Sequence, residues 1–222
     1  MPQPLSTFPD DTPFKVDSRA GTPEGRLSQF LHNPEIAVLA MEVIAKWSQV
    51  DLRLVELYNG LAGGTRTDAF HIYSSLTGAG PKAAALLKLA ERKIPPEYLD
   101  VFAAIRRFSK TCEGNRNIVA HHVWGYIRGR PDLALLTDPV ALVVDREGGW
   151  NKKKMMVWSK QDFINAATQI VCLHDCYSTA SELTHASLGA PAAVWLRRQP
   201  EIQSRLKPLA PEIDDTPPKE DA

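Results

Sequence analysis

A guanidinium, a carboxamide and an imidazole stand within one short stretch of the 222-residue chain, Arg116-Asn117-Ile118-Val119-Ala120-His121. Imidazole is the side chain that ordinarily titrates closest to neutrality, which suits His121 to act as general base or general acid. Arginine carries fixed, forked donors that match the paired oxygens of an anion. Asn117 brings both a donor and an acceptor with which to orient a neighbouring group. Glu113 and His122 flank the trio as supporting groups. Arg107 and Lys110, upstream on the same segment, are candidates for further substrate contacts.

At 100° per residue, Phe102, Ile105, Cys112, Val119 and Val123 cluster on about a third of a helix circumference, and Arg116 falls inside that arc. A guanidinium on an apolar stripe is costly unless it is paired, or faces a cavity or a partner chain. The plain structural alternative is an intrahelical ion pair with Glu113. Arg66 and His71 repeat the spacing, and Arg26 and His32 do so with one residue more. Arg116 is singled out because Asn117 follows it on a helical segment, whereas Arg66 follows Gly63 and Gly64 in an apparent loop.

The hexapeptide resembles the signature of the HEPN superfamily: an arginine, four to six residues, then a histidine, often with a polar residue after the arginine. The resemblance implies an antiparallel helical bundle with the motif on a late helix. It also implies metal-independent RNA cleavage, in which the ribose 2′-hydroxyl attacks the adjacent phosphate and leaves a 2′,3′-cyclic end. No cofactor and no metal are then expected. Arg116 and His121 point about 140° apart on an ideal helix, so one helix makes a poor site unless Gly114 bends it locally. Family members are described as dimers with facing motifs, so a symmetric homodimer with this helix at the interface is expected. A toxin or defence role, with an antitoxin or regulatory partner, belongs to the same implication. One branch of the family has a tyrosine two residues after the histidine; this chain has Val123 there and Tyr126 further on, which puts regulation by tyrosine modification in doubt. The rival expectation is a non-catalytic helical binding or scaffolding domain whose polar motif only stabilises a dimer.

Other constellations have ordinary explanations. Cys172 and Cys176 bracket His174, but His174 projects to another helix face and Cys112 is distant in sequence, so buried thiols are favoured over zinc. Lys152, Lys153 and Lys154 suit a solvated hairpin edge. Trp47, Trp124, Trp150 and Trp158 suit a core or an interface.

The elements that must position the site follow from periodicity. Pro34 after Asn33 starts a long helix whose apolar stripe is Ile36, Ala40, Val43, Trp47, Val50, Leu54, Leu57 and Leu61, ending at Gly63 and Gly64. Shorter helices are expected from a cap at Asp68 to near Gly78, and from Pro81 to Lys93. The motif helix starts at Pro95 and Pro96 and runs to Val123. A β-hairpin is expected over about 140–158, pairing Val140–Val144 with Met155–Trp158 across Gly148 and Gly149. Ser159 and Asp162 form a capping box that opens the last long helix, through Phe163, Ala167, Ile170 and His174. The fold class is thus mainly α, an antiparallel bundle with a small hairpin inserted before the last long helix.

Residues 31–200 are read as one helical domain, 1–30 as a weakly ordered tail, and 201–222 as an acidic, proline-rich tail. The 26 basic and 26 acidic residues cancel, so no global field draws the chain to nucleic acid or membrane, and RNA would be held locally. Residues 91–130 carry eight Lys or Arg against four Asp or Glu, a mild local excess. The three cysteines do not form a disulfide framework, and neither a secretory leader nor an apolar span is visible, so a cytoplasmic setting is expected.

Overall fold

A computed structural model describes residues 1–9, 12, 14–16, 33–140 and 154–206. Helix α1 (Pro34–Ala62) buries Ile36, Ala40, Val43, Trp47, Val50, Leu54, Leu57 and Leu61, the stripe that the three-and-four spacing marks out. Pro34 takes the first helical position, and Gly63 at φ 75 ends the helix by donating its N–H to the Asn59 carbonyl. Helix α2 (Arg66–Ser75) is capped by Thr65 and not by Asp68: the Thr65 hydroxyl accepts the Asp68 N–H at 3.1 Å and donates to the Asp68 carboxylate at 2.7 Å. Asp68 instead sits in the first turn, where its charge complements the helix dipole.

Helix α3 (Ala79–Lys93) follows, then a 3-10 turn at Pro96–Tyr98 and helix α4 (Leu99–His121). The chain leaves the helix two residues earlier than the apolar spacing suggests, because Val123 belongs to a strand. Helix α5 (Lys160–Ala180) packs along α1 and against α4, and α6 (Gly189–Arg197) and the short α7 (Pro200–Gln203) close the bundle. Ile202 is fully buried and Leu206 packs against the core, so the helical body continues past residue 200. Residues 207–222 lie outside the described part.

A small antiparallel sheet completes the fold. Its strands are β1 (Gln3–Pro4), β2 (Phe14–Val16), β3 (Val123–Ile127), β4 (Leu133–Thr137) and β5 (Met155–Ser159), in the order β1-β5-β4-β3-β2. The expected strand at Met155 is present and pairs with β4, Leu135 lying opposite Val157, and on its other side with β1. Val140 lies just past β4, in a short helical stretch, and residues 141–153 lie outside the described part.

Every residue of β4 is buried. Ala134 and Leu136 face the helical core together with Trp158, while Leu133 and Leu135 join Ile127, Met155 and Val157 in a second cluster. Leu5 completes that cluster at 1% exposure, and Phe8 and Phe14 pack against it. Part of the stretch read as a tail therefore covers the sheet face turned away from the helices, because three large apolar side chains in it find a surface to bury.

Ser159 ends β5 and caps α5. Its hydroxyl accepts the Asp162 N–H, and the Asp162 carboxylate accepts the Ser159 N–H at 2.9 Å, a complete capping box. Ser159→Ala should cost about 1 kcal/mol, read as a fall in thermal midpoint of about 2–4 °C. A midpoint equal to wild type would show that the box contributes nothing. Among the described residues no helix is long and apolar enough to cross a membrane.

Candidate functional site

Helix α4 sets the site because its buried face (Val101, Phe102, Ala104, Ile105, Phe108, Ser109, Cys112, Val119) lies against the bundle, and Arg116 stands between Cys112 and Val119 on that face. The guanidinium is half-buried and is not locked onto Glu113: among the described residues these two form no ion pair. It donates instead to Asn117 Oδ1 at 2.8 Å, and its carbon lies 5.5 Å from the centre of the Trp47 ring on α1. A cation over an indole is stabilised by the ring quadrupole without losing its charge. Arg116 is therefore oriented by neutral partners.

That guanidinium lines a half-open cavity of about 210 Å³ between α1, α3 and α4, bounded also by Tyr73 of α2. Two further cations reach it. Lys82 sits with Nζ 5.1 Å from the Tyr73 ring centre, and Arg106 donates to the Tyr177 hydroxyl at 2.8 Å. Asp51 and Glu113 line the same space. Much of Asp51 is open to solvent, yet enough of its carboxyl is enclosed that burial raises its pKa above the ordinary value, against the opposing pull of Arg116 and Lys82. Burial likewise raises the Tyr177 hydroxyl, so it remains a neutral acceptor for Arg106.

His121 is elsewhere. It lies exposed in the last turn of α4 and does not line the cavity. The helix runs unbroken through Gly114, so within one chain the motif's arginine and histidine diverge as the helical repeat dictates. His122, the helix cap, is half-buried, and its Nδ1 has no hydrogen-bond partner among the described residues. Burial lowers its pKa, while Asp138 opposes and His121 assists. Because the unfolded chain takes the proton first, acid favours unfolding: stability is lost as pH falls below about 6.5, until the folded-state value is also passed. Replacing His122 with glutamine should flatten thermal midpoints between pH 7 and pH 5.5 relative to wild type; an unchanged profile would remove His122 as the cause.

The other candidates part company. Arg107 donates twice to the Arg205 carbonyl, at 2.9 and 2.6 Å, and so fastens the C-terminal turn to α4. Lys110 is exposed on the outer face of α4. Asn117 stays with Arg116. His174 accepts from Arg53 Nε at 3.0 Å and its Nδ1 lies 3.1 Å from Asp175, so both ring nitrogens are engaged. Burial pushes the Cys112 thiol up to about 12, and a hydrogen bond to Cys172, with burial, raises Cys176 as well. Among the described residues no group of three or more potential ligands gathers around a point where a metal ion would sit.

Asp51, Lys82 and Arg106 escape a reading of the sequence because they converge from three helices with no shared spacing. The only local hint is Trp47, whose place on the α1 stripe marks what Arg116 packs against. Compared with known proteins, the chain matches no family model, no curated protein and no solved structure.

Proposed function

We propose that the chain is a metal-independent endoribonuclease of the HEPN kind, working as a symmetric dimer in which Arg116 and Asn117 of one copy act with His121 of the other. The observation that carries this reading is that Arg116, on the apolar face of α4, is held by Asn117 and Trp47 and not neutralised by Glu113. Such a guanidinium keeps its charge for a phosphate. An exposed imidazole one and a half turns on is left available to a second copy, and proton transfer by a well-placed group is worth about 10²–10⁴ in rate.

In this reading the 2′-hydroxyl loses its proton to His121 and attacks the neighbouring phosphorus. The bond from phosphorus to the 5′-oxygen breaks, that oxygen takes a proton from solvent water, and Arg116 offsets charge on the phosphate oxygens. A toxin or defence role, with a restraining partner protein, fits such an activity. The test is incubation of purified wild type and His121→Ala with mixed RNA in EDTA, followed by analysis of fragment ends. Cyclic phosphate ends made by the wild type alone support the proposal. Intact RNA in both favours a second reading, a non-catalytic binding or scaffolding domain, which the distance of His121 from the cavity also favours.

A further inference from the structure

From the convergence of Lys82, Arg106 and Arg116 on one cavity, we infer a binding site for a phosphate group carried by a small organic moiety. It shares Arg116 with the proposed nuclease site but does not depend on RNA being cut.

Three cations face two carboxylates in this space, and among the described residues none of the three forms an ion pair with Asp51 or Glu113. Each is held by a neutral partner: Asn117 for Arg116, the Tyr177 hydroxyl for Arg106 and the Tyr73 ring for Lys82. Like charges gathered in a part-enclosed space repel and are costly to desolvate, so a multivalent anion that bridges them gains from all three. Gly78 and Ala79, at the start of α3, also line the cavity, and no side chain caps that helix end, so the dipole adds to the positive potential.

The chemistry of the donors selects the ligand. Two guanidinium forks and an ammonium need more acceptor positions than one carboxylate offers, whereas a phosphomonoester brings three oxygens and a charge near −2. The two aromatic rings lining the cavity, Trp47 and Tyr73, already carry Arg116 and Lys82 over them. Stacking of a base is therefore not expected, and recognition rests on the phosphate. A cavity of ~150 Å³ accepts a benzene ring, so about 210 Å³ leaves space for a sugar beside the phosphate.

The source of the phosphate is either a free nucleotide or the phosphorylated end of an RNA. Calorimetric titration of the full chain with inorganic phosphate, adenosine and cytidine 5′-monophosphates, adenosine, and acetate at matched ionic strength tests the site. The two nucleotides should bind with similar affinity, phosphate more weakly, and adenosine and acetate not measurably. Lys82→Ala should weaken nucleotide binding by tenfold or more. Lys88→Ala, which removes only the surface pair with Glu91 on the same helix, should leave it unchanged. Equal binding of adenosine and its monophosphate, no binding of either nucleotide, or equal behaviour of the two lysine variants would each overturn the inference. A second titration with one short oligonucleotide, bearing either a 5′-phosphate or a 5′-hydroxyl, separates the sources. A preference for the phosphorylated form assigns the site to an RNA end, and no binding of either beside clear nucleotide binding assigns it to a free nucleotide. Cleavage assays on His121→Ala stand apart, so loss of the nuclease reading leaves this result intact.

Discussion

Mixing Arg116→Ala with His121→Ala should restore RNA cleavage that each variant lacks alone. Each single variant is expected to lose about 10²-fold or more, Arg116→Ala through lost stabilisation of phosphate charge and His121→Ala through lost proton transfer. The two side chains are five positions apart on one helix and turn away from each other, so one copy does not bring them to a common phosphate. In a two-fold assembly the pairing is reciprocal. Random exchange of subunits makes about half of the dimers mixed, each with one complete site of two, so the mixture should recover about a quarter of wild-type activity. The measurement is the rate of cyclic-end formation after the variants have been mixed and re-equilibrated. Full activity in either variant alone removes that residue from the chemistry. Two inactive variants that stay inactive together argue against sites shared in this way.

Trp158→Ala should be the most damaging single change to stability, at about 3–5 kcal/mol. This ring is 1% exposed on β5, and its centre lies 5.0 Å from that of Phe163 on α5, which in turn stacks on Trp124 of β3 at 5.7 Å. The three rings join the sheet to the bundle, and their contact is worth more than area alone. Thermal midpoints should fall by roughly 10 °C or more. The indole Nε1 is buried with no partner among the described residues. Phenylalanine in its place removes that unsatisfied donor, which costs about 1–3 kcal/mol where it stands, and so compensates for lost volume. Trp158→Phe should thus lie within about 1 kcal/mol of wild type in urea unfolding. An alanine variant as stable as the phenylalanine one would mean that sheet and bundle hold together by other contacts.

Helices were legible wherever one face alone is buried. The α1 stripe reads directly from spacing, and the Ser159–Asp162 box reads from residue type, because both depend on neighbours three or four positions away. The sheet was less legible. Its strand β4 is covered on both faces, so Leu133-Ala134-Leu135-Leu136 shows no alternation, and the nearer apolar run at Val140 is the more visible partner for Met155. Strand β1 pairs with residues more than 150 positions away, a contact that no local pattern announces. The same holds for the site. Arg116 on an apolar face raised a question that one segment can pose, but the answer involves Trp47, Lys82 and Arg106 on other turns and helices.

Strands β1 and β2 sit at the two borders of the sheet, next to β5 and β3 respectively. They are two and three residues long, and the first contains Pro4, which has no N–H to offer. Short, proline-bearing margins give an incoming chain little to zip onto. Association of two copies by continuing the sheet from one molecule into the next is therefore disfavoured among the described residues. The proposed dimer therefore has to form through its helices, with two α4 termini face to face.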